Sequence, residues 1–105
     1  MNKYVIMIPT YNESESIKSV LDGILDISLD DTEIEVLVID DNSPDKTADL
    51  VDSFGYSKVR VLRRPYKDGL GNAYKAAIKH LLADPSVTHL VSMDADGSHR
   101  VLDLV

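Results

Sequence analysis

Leu90-Val91-Ser92-Met93-Asp94-Ala95-Asp96-Gly97-Ser98-His99 is the stretch on which the reading of the fold turns. The apolar run over 87–93 predicts a buried strand, and it stops abruptly in two carboxylates, Asp94 and Asp96. Alternate residues of an extended chain project to the same side, so an Asp-x-Asp pair with a small Ala95 between can converge on one cation at the strand's carboxyl end. Oxygen ligands of this kind suit a hard divalent ion such as magnesium or manganese, commonly shared with substrate phosphates. Taken alone, the pattern also fits a strand that ends in a solvated acidic turn. The segments upstream favour a site.

Working back from that strand, the same grammar recurs. Tyr4-Val5-Ile6-Met7-Ile8 is a short apolar run closed by Pro9, and Ile34-Glu35-Val36-Leu37-Val38-Ile39 is a second that ends in Asp40-Asp41-Asn42. Both read as strands buried on both faces. Between them Asn12 is expected to cap a helix, with Glu13 and Glu15 in its first turn and Ile17, Val20, Leu21, Ile24 and Leu25 as its apolar stripe. Ser43-Pro44 reads as the start of a second helix, with Ala48, Leu50, Val51 and Phe54 on its buried side and Gly55 at its end. A third strand over 59–62 leads to a helix carrying Leu70, Ala73, Tyr74, Ala77, Ile78, Leu81 and Leu82, which Asp84-Pro85 breaks. The order β-α-β-α-β-α-β with short connections predicts a parallel, Rossmann-like α/β sheet with right-handed crossovers. Residues 100–105 read as the first turn of a further helix.

The 105 residues suffice for one small domain, and 44% hydrophobic with 28% charged residues is ordinary for a soluble globular chain. The absence of cysteine excludes disulfides and thiolate metal sites and fits a reducing compartment. No apolar run approaches a membrane span, and residues 1–8 lack the plan of a secretory signal. A net charge of -7 argues against nucleic acid as a partner, since that binding rests on Lys and Arg neutralising phosphates. A phosphorylated ligand of so acidic a chain implies a mediating cation.

In open parallel sheets, ligands bind beyond the carboxyl ends of the strands. Residues 9–13, 40–43 and 94–98 are predicted to meet there. The Gly-x-Gly-x-x-Gly turn of dinucleotide-binding folds and the Gly-Lys-Ser/Thr ending of a P-loop are both absent, and Gly69-Leu70-Gly71 opens the third helix instead. Tyr11 suits either stacking on a base or covering the sheet end. Asp40 and Asp41 suit either base or ribose recognition or an acidic turn. Lys58, Arg60, Arg63, Arg64 and Lys67 form a basic cluster that is either a solvated face or a device for steering an anion. His80 and His89 read as packing residues, and His99 sits beside the acidic motif. A receiver-like phosphoacceptor domain would need its acidic pair after the first strand, where this chain has Pro9-Thr10-Tyr11.

Ile8-Pro9-Thr10-Tyr11-Asn12-Glu13, Val38-Ile39-Asp40-Asp41-Asn42-Ser43-Pro44-Asp45-Lys46-Thr47, Lys67-Asp68-Gly69-Leu70-Gly71-Asn72-Ala73-Tyr74 and Met93-Asp94-Ala95-Asp96-Gly97-Ser98-His99, in this order, resemble the motifs of family 2 glycosyltransferases. Within that family the chain is similar to the dolichol-phosphate (polyprenol-phosphate) mannosyltransferases, over essentially its whole length. The resemblance implies the nucleotide-diphospho-sugar (GT-A) fold and inverting transfer of a sugar, mannose from GDP-mannose, to a polyprenyl phosphate. A donor such as UDP-glucose, or a non-catalytic nucleotide-sugar-binding module, is the alternative. By matching position, Pro9, Tyr11, Glu13, Ile39 and Asp41 would line the nucleotide pocket and Asp94, Ala95 and Asp96 would lie near the diphosphate, with Asp94 and Asp96 holding Mg2+ or Mn2+. That metal would offset the mutual repulsion of Asp40, Asp41, Asp94 and Asp96.

Gly97 and Ser98 stand where many relatives carry a bulkier apolar residue and sometimes a glutamine. Relatives also continue beyond this length, so residues 1–105 are expected to be the N-terminal donor-binding half of a truncated chain, inactive alone, with the acceptor half absent. The family's strand arrangement places the first strand between the second and the fourth and would leave the fourth at a bare edge, open to self-association. The expected setting is the cytoplasm, or the cytoplasmic face of a membrane for a longer protein.

Overall fold

The apolar runs over 5–8 and 36–39 are continuous because each is covered from two sides. The computed structural model describes residues 2–93, 99 and 100. Its elements are β1 Asn2–Thr10, α1 Ile17–Leu25, β2 Thr32–Asp40, α2 Thr47–Ser53, β3 Val59–Arg63, α3 Leu70–Leu82, β4 His89–Met93 and β5 His99–Arg100. They build one sheet in the order β3-β2-β1-β4-β5, in which β1 to β4 run parallel and β5 is antiparallel to β4.

Successive residues of a strand point to opposite faces, and the two faces carry different helices. Ile6 and Ile8 of β1 and Val36 and Val38 of β2 form one buried layer with Ile17, Leu21 and Ile24 of α1 and Val51 of α2. Val5, Met7, Leu37 and Ile39 form the other layer, with Ala73, Ala77 and Leu81 of α3 and Leu90 of β4. From β1 the chain steps outward to β2 and β3 with both crossover helices on one face. It then returns to the far side of β1 with α3 on the opposite face. A constant crossover hand requires this change of face when the direction of winding reverses. The reversal lies between β1 and β4, and in open parallel sheets the carboxyl ends beside such a reversal are where ligands bind.

Four helix and edge expectations are corrected. α1 begins at Ile17 rather than just after Asn12, and α2 begins at Thr47 rather than at Ser43-Pro44. The reason is the same for both: Asn12 and Ser43 are engaged across the gap between their two loops, and Asn12 itself has a left-handed backbone (φ 58°). The outer edge of β4 is not bare throughout, because Ser92 and Met93 pair with Arg100 and His99. Arg100 is thus in a strand, not in the expected helical turn, and residues 101–105 lie outside the described residues. His89 packs as expected, its ring stacked on Tyr4 at 4.2 Å between centroids, whereas His80 is exposed on α3.

Candidate functional site: three loops at the carboxyl end of the sheet

The ends of β1 and β2 are joined through a buried carboxylate. Thr10 and Asp40 are register partners, and the Thr10 hydroxyl donates to Asp40 Oδ1 at 2.7 Å. The same carboxylate accepts from the Ser43 amide at 3.0 Å and from the Ser43 hydroxyl at 2.6 Å. A charge removed from water must be hydrogen-bonded to be tolerated, and Asp40, 3% exposed, meets that demand entirely within the chain.

Beyond Asp40 the loop after β2 closes against the loop after β1. The Asn12 amide donates to Ser43 Oγ at 3.0 Å, the Glu13 amide to Thr47 Oγ1 at 3.1 Å and the Ser14 amide to Asp45 Oδ2 at 3.1 Å, while the Asp45 amide donates back to Asn12 Oδ1 at 3.2 Å. Asp45 also accepts from the amide and the hydroxyl of Thr47. Burial opposes its ionisation, but the Thr47 and Ser14 hydrogen bonds outweigh burial and leave Asp45 below the usual carboxylate range. The turns need left-handed residues, and Asn12 (φ 58°) and Asn42 (φ 57°) supply them in a conformation that asparagine tolerates.

The third loop, residues 64–69, is tied to the end of β2. The Arg64 amide donates to the Asp40 carbonyl at 2.8 Å and Asn42 Nδ2 to the Pro65 carbonyl at 3.2 Å. The Arg64 guanidinium bridges two acids, Asp41 Oδ1 at 3.1 Å through Nη1 and Asp68 Oδ1 at 2.5 Å through Nη2. Its pKa rises above the ordinary value, chiefly through the hydrogen bond to Asp68 and further through the charge of Asp41. This loop also reaches the first one, since Lys67 Nζ lies 4.6 Å from the centroid of the Tyr11 ring. Gly69, at φ 107°, then turns the chain into α3.

Of the residues nominated from sequence, Pro9, Tyr11, Glu13 and Asp41 all lie in these strand ends and loops. Tyr11 and Glu13 are half-buried, and the Glu13 carboxylate makes no ion pair or hydrogen bond with a described residue. Ile39, next to the strand end, has its side chain fully buried in the layer that includes Ala73, Ala77 and Leu81 of α3. Asp94, Ala95 and Asp96 follow Met93 and lie outside the described residues, as do Gly97 and Ser98.

Of the four acids expected to repel one another, Asp40 is hydrogen-bonded within the chain by Thr10 and Ser43 and Asp41 is paired with Arg64, while Asp94 and Asp96 lie outside the described residues. The basic cluster does not act as one face. Lys58 pairs with Glu33, Arg60 with Glu35, and Arg63 with Asp49 and Asp52, each along or beside β3. Periodicity gives no sign of the residues that build the loops, Thr10, Asn12, Ser43, Asp45, Thr47 and Arg64. The signal for Ser43, Asp45 and Thr47 is the density of Asn, Asp, Ser and Thr in Asp40-Asp41-Asn42-Ser43-Pro44-Asp45-Lys46-Thr47. Behind this loop lies a cavity of about 330 Å³ lined by Asn42, Pro44, Lys46, Asp49, Arg63 and Arg64 among others, and neither Tyr11, Glu13 nor Asp41 lines it.

The chain resembles known proteins in sequence and in fold. The family model described as glycosyl transferase family 2 matches residues 5–104. An undecaprenyl-phosphate mannosyltransferase of Micrococcus luteus is 44% identical over 100 residues, which are 93% of this chain and 40% of that protein. A polyprenol monophosphomannose synthase of Mycolicibacterium smegmatis is 37% identical over 96% of this chain and 40% of that protein. The chain therefore spans about two fifths of the length of these curated relatives. The mannosyltransferase PcManGT of Pyrobaculum calidifontis, solved with GDP-Man and Mn2+, superposes with a TM-score of 0.73 at 27% identity, over 89% of this chain and 27% of that one. No described helix is long and apolar enough to cross a membrane. With the strand order, the strand-end loops and the match over residues 5–104 in agreement, the chain belongs to glycosyl transferase family 2.

Proposed function

We propose that residues 1–105 are the nucleotide-sugar-binding part of an enzyme that transfers mannose from GDP-mannose to a polyprenyl phosphate with inversion, acceptor recognition being supplied by chain outside these residues. One observation carries the reading. Tyr11, half-buried, and Glu13, whose carboxylate has no partner among the described residues, follow the carboxyl end of β1, and Asp41, held by Arg64, follows the carboxyl end of the neighbouring β2. The similarity to two proteins named for mannosyl transfer to polyprenyl phosphates favours that donor and acceptor over UDP-glucose. The setting that fits this acceptor is the cytoplasmic face of a membrane.

In this reading Tyr11 offers an apolar face to the base, Asp41 accepts from its N–H edge and Pro9 closes the pocket. Asp94 and Asp96, hard oxygen donors with Ala95 between them, would hold Mg2+ or Mn2+, which when bound would offset the charge of the leaving diphosphate. An acceptor phosphate oxygen attacks the anomeric carbon opposite the departing diphosphate. It is already ionised, so the chain need not supply a strong base. Calorimetric titration with GDP-mannose and UDP-glucose, in manganese and in chelator, tests the donor site. The reading expects saturable, manganese-dependent binding that prefers GDP-mannose. Binding indifferent to both metal and base would overturn it.

A further inference from the structure

We propose that Arg64 is a positioning residue for base selection: by bridging Asp41 and Asp68 it presents a single fixed acceptor oxygen, which admits bases with a ring N–H at their pairing edge, such as guanine or uracil, and rejects adenine and cytosine. The inference rests on the donor-site reading above and adds to it how the base is chosen.

The two oxygens of Asp41 are unlike. Oδ1 accepts from Arg64 Nη1 at 3.1 Å, whereas Oδ2 receives no hydrogen bond from a described residue. Among the described residues no buried side-chain oxygen lacks a partner, so Oδ2 retains contact with solvent even though Asp41 as a whole is only 7% exposed. Arg64 cannot easily swing away. Its amide is bonded to the Asp40 carbonyl at 2.8 Å, its second guanidinium nitrogen to Asp68 at 2.5 Å, and its side chain is 12% exposed. The planar fork of an arginine fixes the direction of both bonds, which a lysine ammonium would not.

A carboxylate is an acceptor only. Guanine offers N1–H and the N2 amino group along one edge, and uracil offers N3–H; both satisfy a lone fixed oxygen. Adenine and cytosine place a ring-nitrogen lone pair beside their amino group. A freely rotating carboxylate can turn to meet the amino group alone, but one pinned through Oδ1 is left facing a lone pair. Leaving buried polar groups unmatched is how sites of this type discriminate strongly.

The test compares GDP and ADP affinities by calorimetry in manganese for the parent protein and for Arg64→Met, Arg64→Lys and Asp68→Asn, with thermal melts as the control for folding. The parent is expected to favour GDP by roughly 100-fold, and Arg64→Met and Arg64→Lys to cut that ratio by about 10-fold or more, since neither can bridge both acids. Asp68→Asn is expected to fall between them and the parent, and it carries the test should the Arg64 variants fail to fold. A proportional loss of both affinities at an unchanged ratio would make Arg64 merely structural and overturn the proposal while leaving the donor site intact. A parent protein that binds neither nucleotide would overturn the donor-site reading and this inference together.

Discussion

Thr10 and Asp40 close the carboxyl end of the sheet: they are opposite each other in the parallel register of β1 and β2, and the threonine hydroxyl donates to the aspartate at 2.7 Å. Asp40 therefore belongs to the frame of the site, although it stands next to a residue nominated for ligand binding. Asp40→Ala would strip partners from the Thr10 and Ser43 hydroxyls and from the Ser43 amide at a buried position. The expected loss is about 2–4 kcal/mol of stability in denaturant titration. Unchanged stability with lost nucleotide affinity would instead make Asp40 a ligand contact.

Tyr11 has a different exposure to test. A base stacked on its ring contributes about 1–3 kcal/mol, so Tyr11→Ala is expected to weaken GDP binding by roughly 5- to 150-fold with little change in melting temperature. Lys67→Met removes only the ammonium over the ring, an exposed contact worth about 0.5–1 kcal/mol. Equal affinity in Tyr11→Ala and the parent would reduce the tyrosine to a cover for the sheet end.

Asp96→Ala is expected to abolish the manganese-dependent part of donor binding while the melt stays close to that of the parent, because a carboxylate placed for a metal adds repulsion rather than packing to the unliganded protein. Parallel loss of stability and binding would assign Asp96 to the frame.

Acid stability has its own carboxylate. Hydrogen bonds from the Ser86 hydroxyl and amide, with Lys3 nearby, lower Asp84 from 3.8 to about 2. A depressed carboxylate stabilises the fold above its unfolded value and stops doing so as pH falls through the folded one. Asp84→Asn should therefore destabilise the protein at pH 6 and make little difference at pH 2, as read by urea titrations at both pH values. An equal deficit at both would mean that the contribution is packing and not charge.

The sheet was legible because its signals are local. Alternation in β1 and β2 sends odd and even residues to two helix-covered faces, and a continuous apolar run is what two covered faces produce. The helix starts were misplaced because Asn12 and Ser43, both good caps on their own, are partners of each other across 31 positions. Asp40 and Asp41 are chemically identical neighbours, and nothing in their order tells which is buried on Thr10 and Ser43 and which is held by Arg64. That distinction arises only when the ends of β1, β2 and β3 come together. The five basic residues looked like one face because sequence hides the acids that sit beside four of them and the tyrosine ring under Lys67.

Docking of a nucleotide on the three strand-end loops is best followed by amide chemical-shift mapping during titration with GDP and a diamagnetic divalent ion, Mg2+. The largest shifts are expected at Tyr11, Glu13, Asp41, Arg64 and Asp68, together with Asp94 and Asp96, and small ones across α1 and the amino ends of the strands. Shifts centred instead on Lys46, Asp49 and Arg63, around the separate cavity, would contradict it.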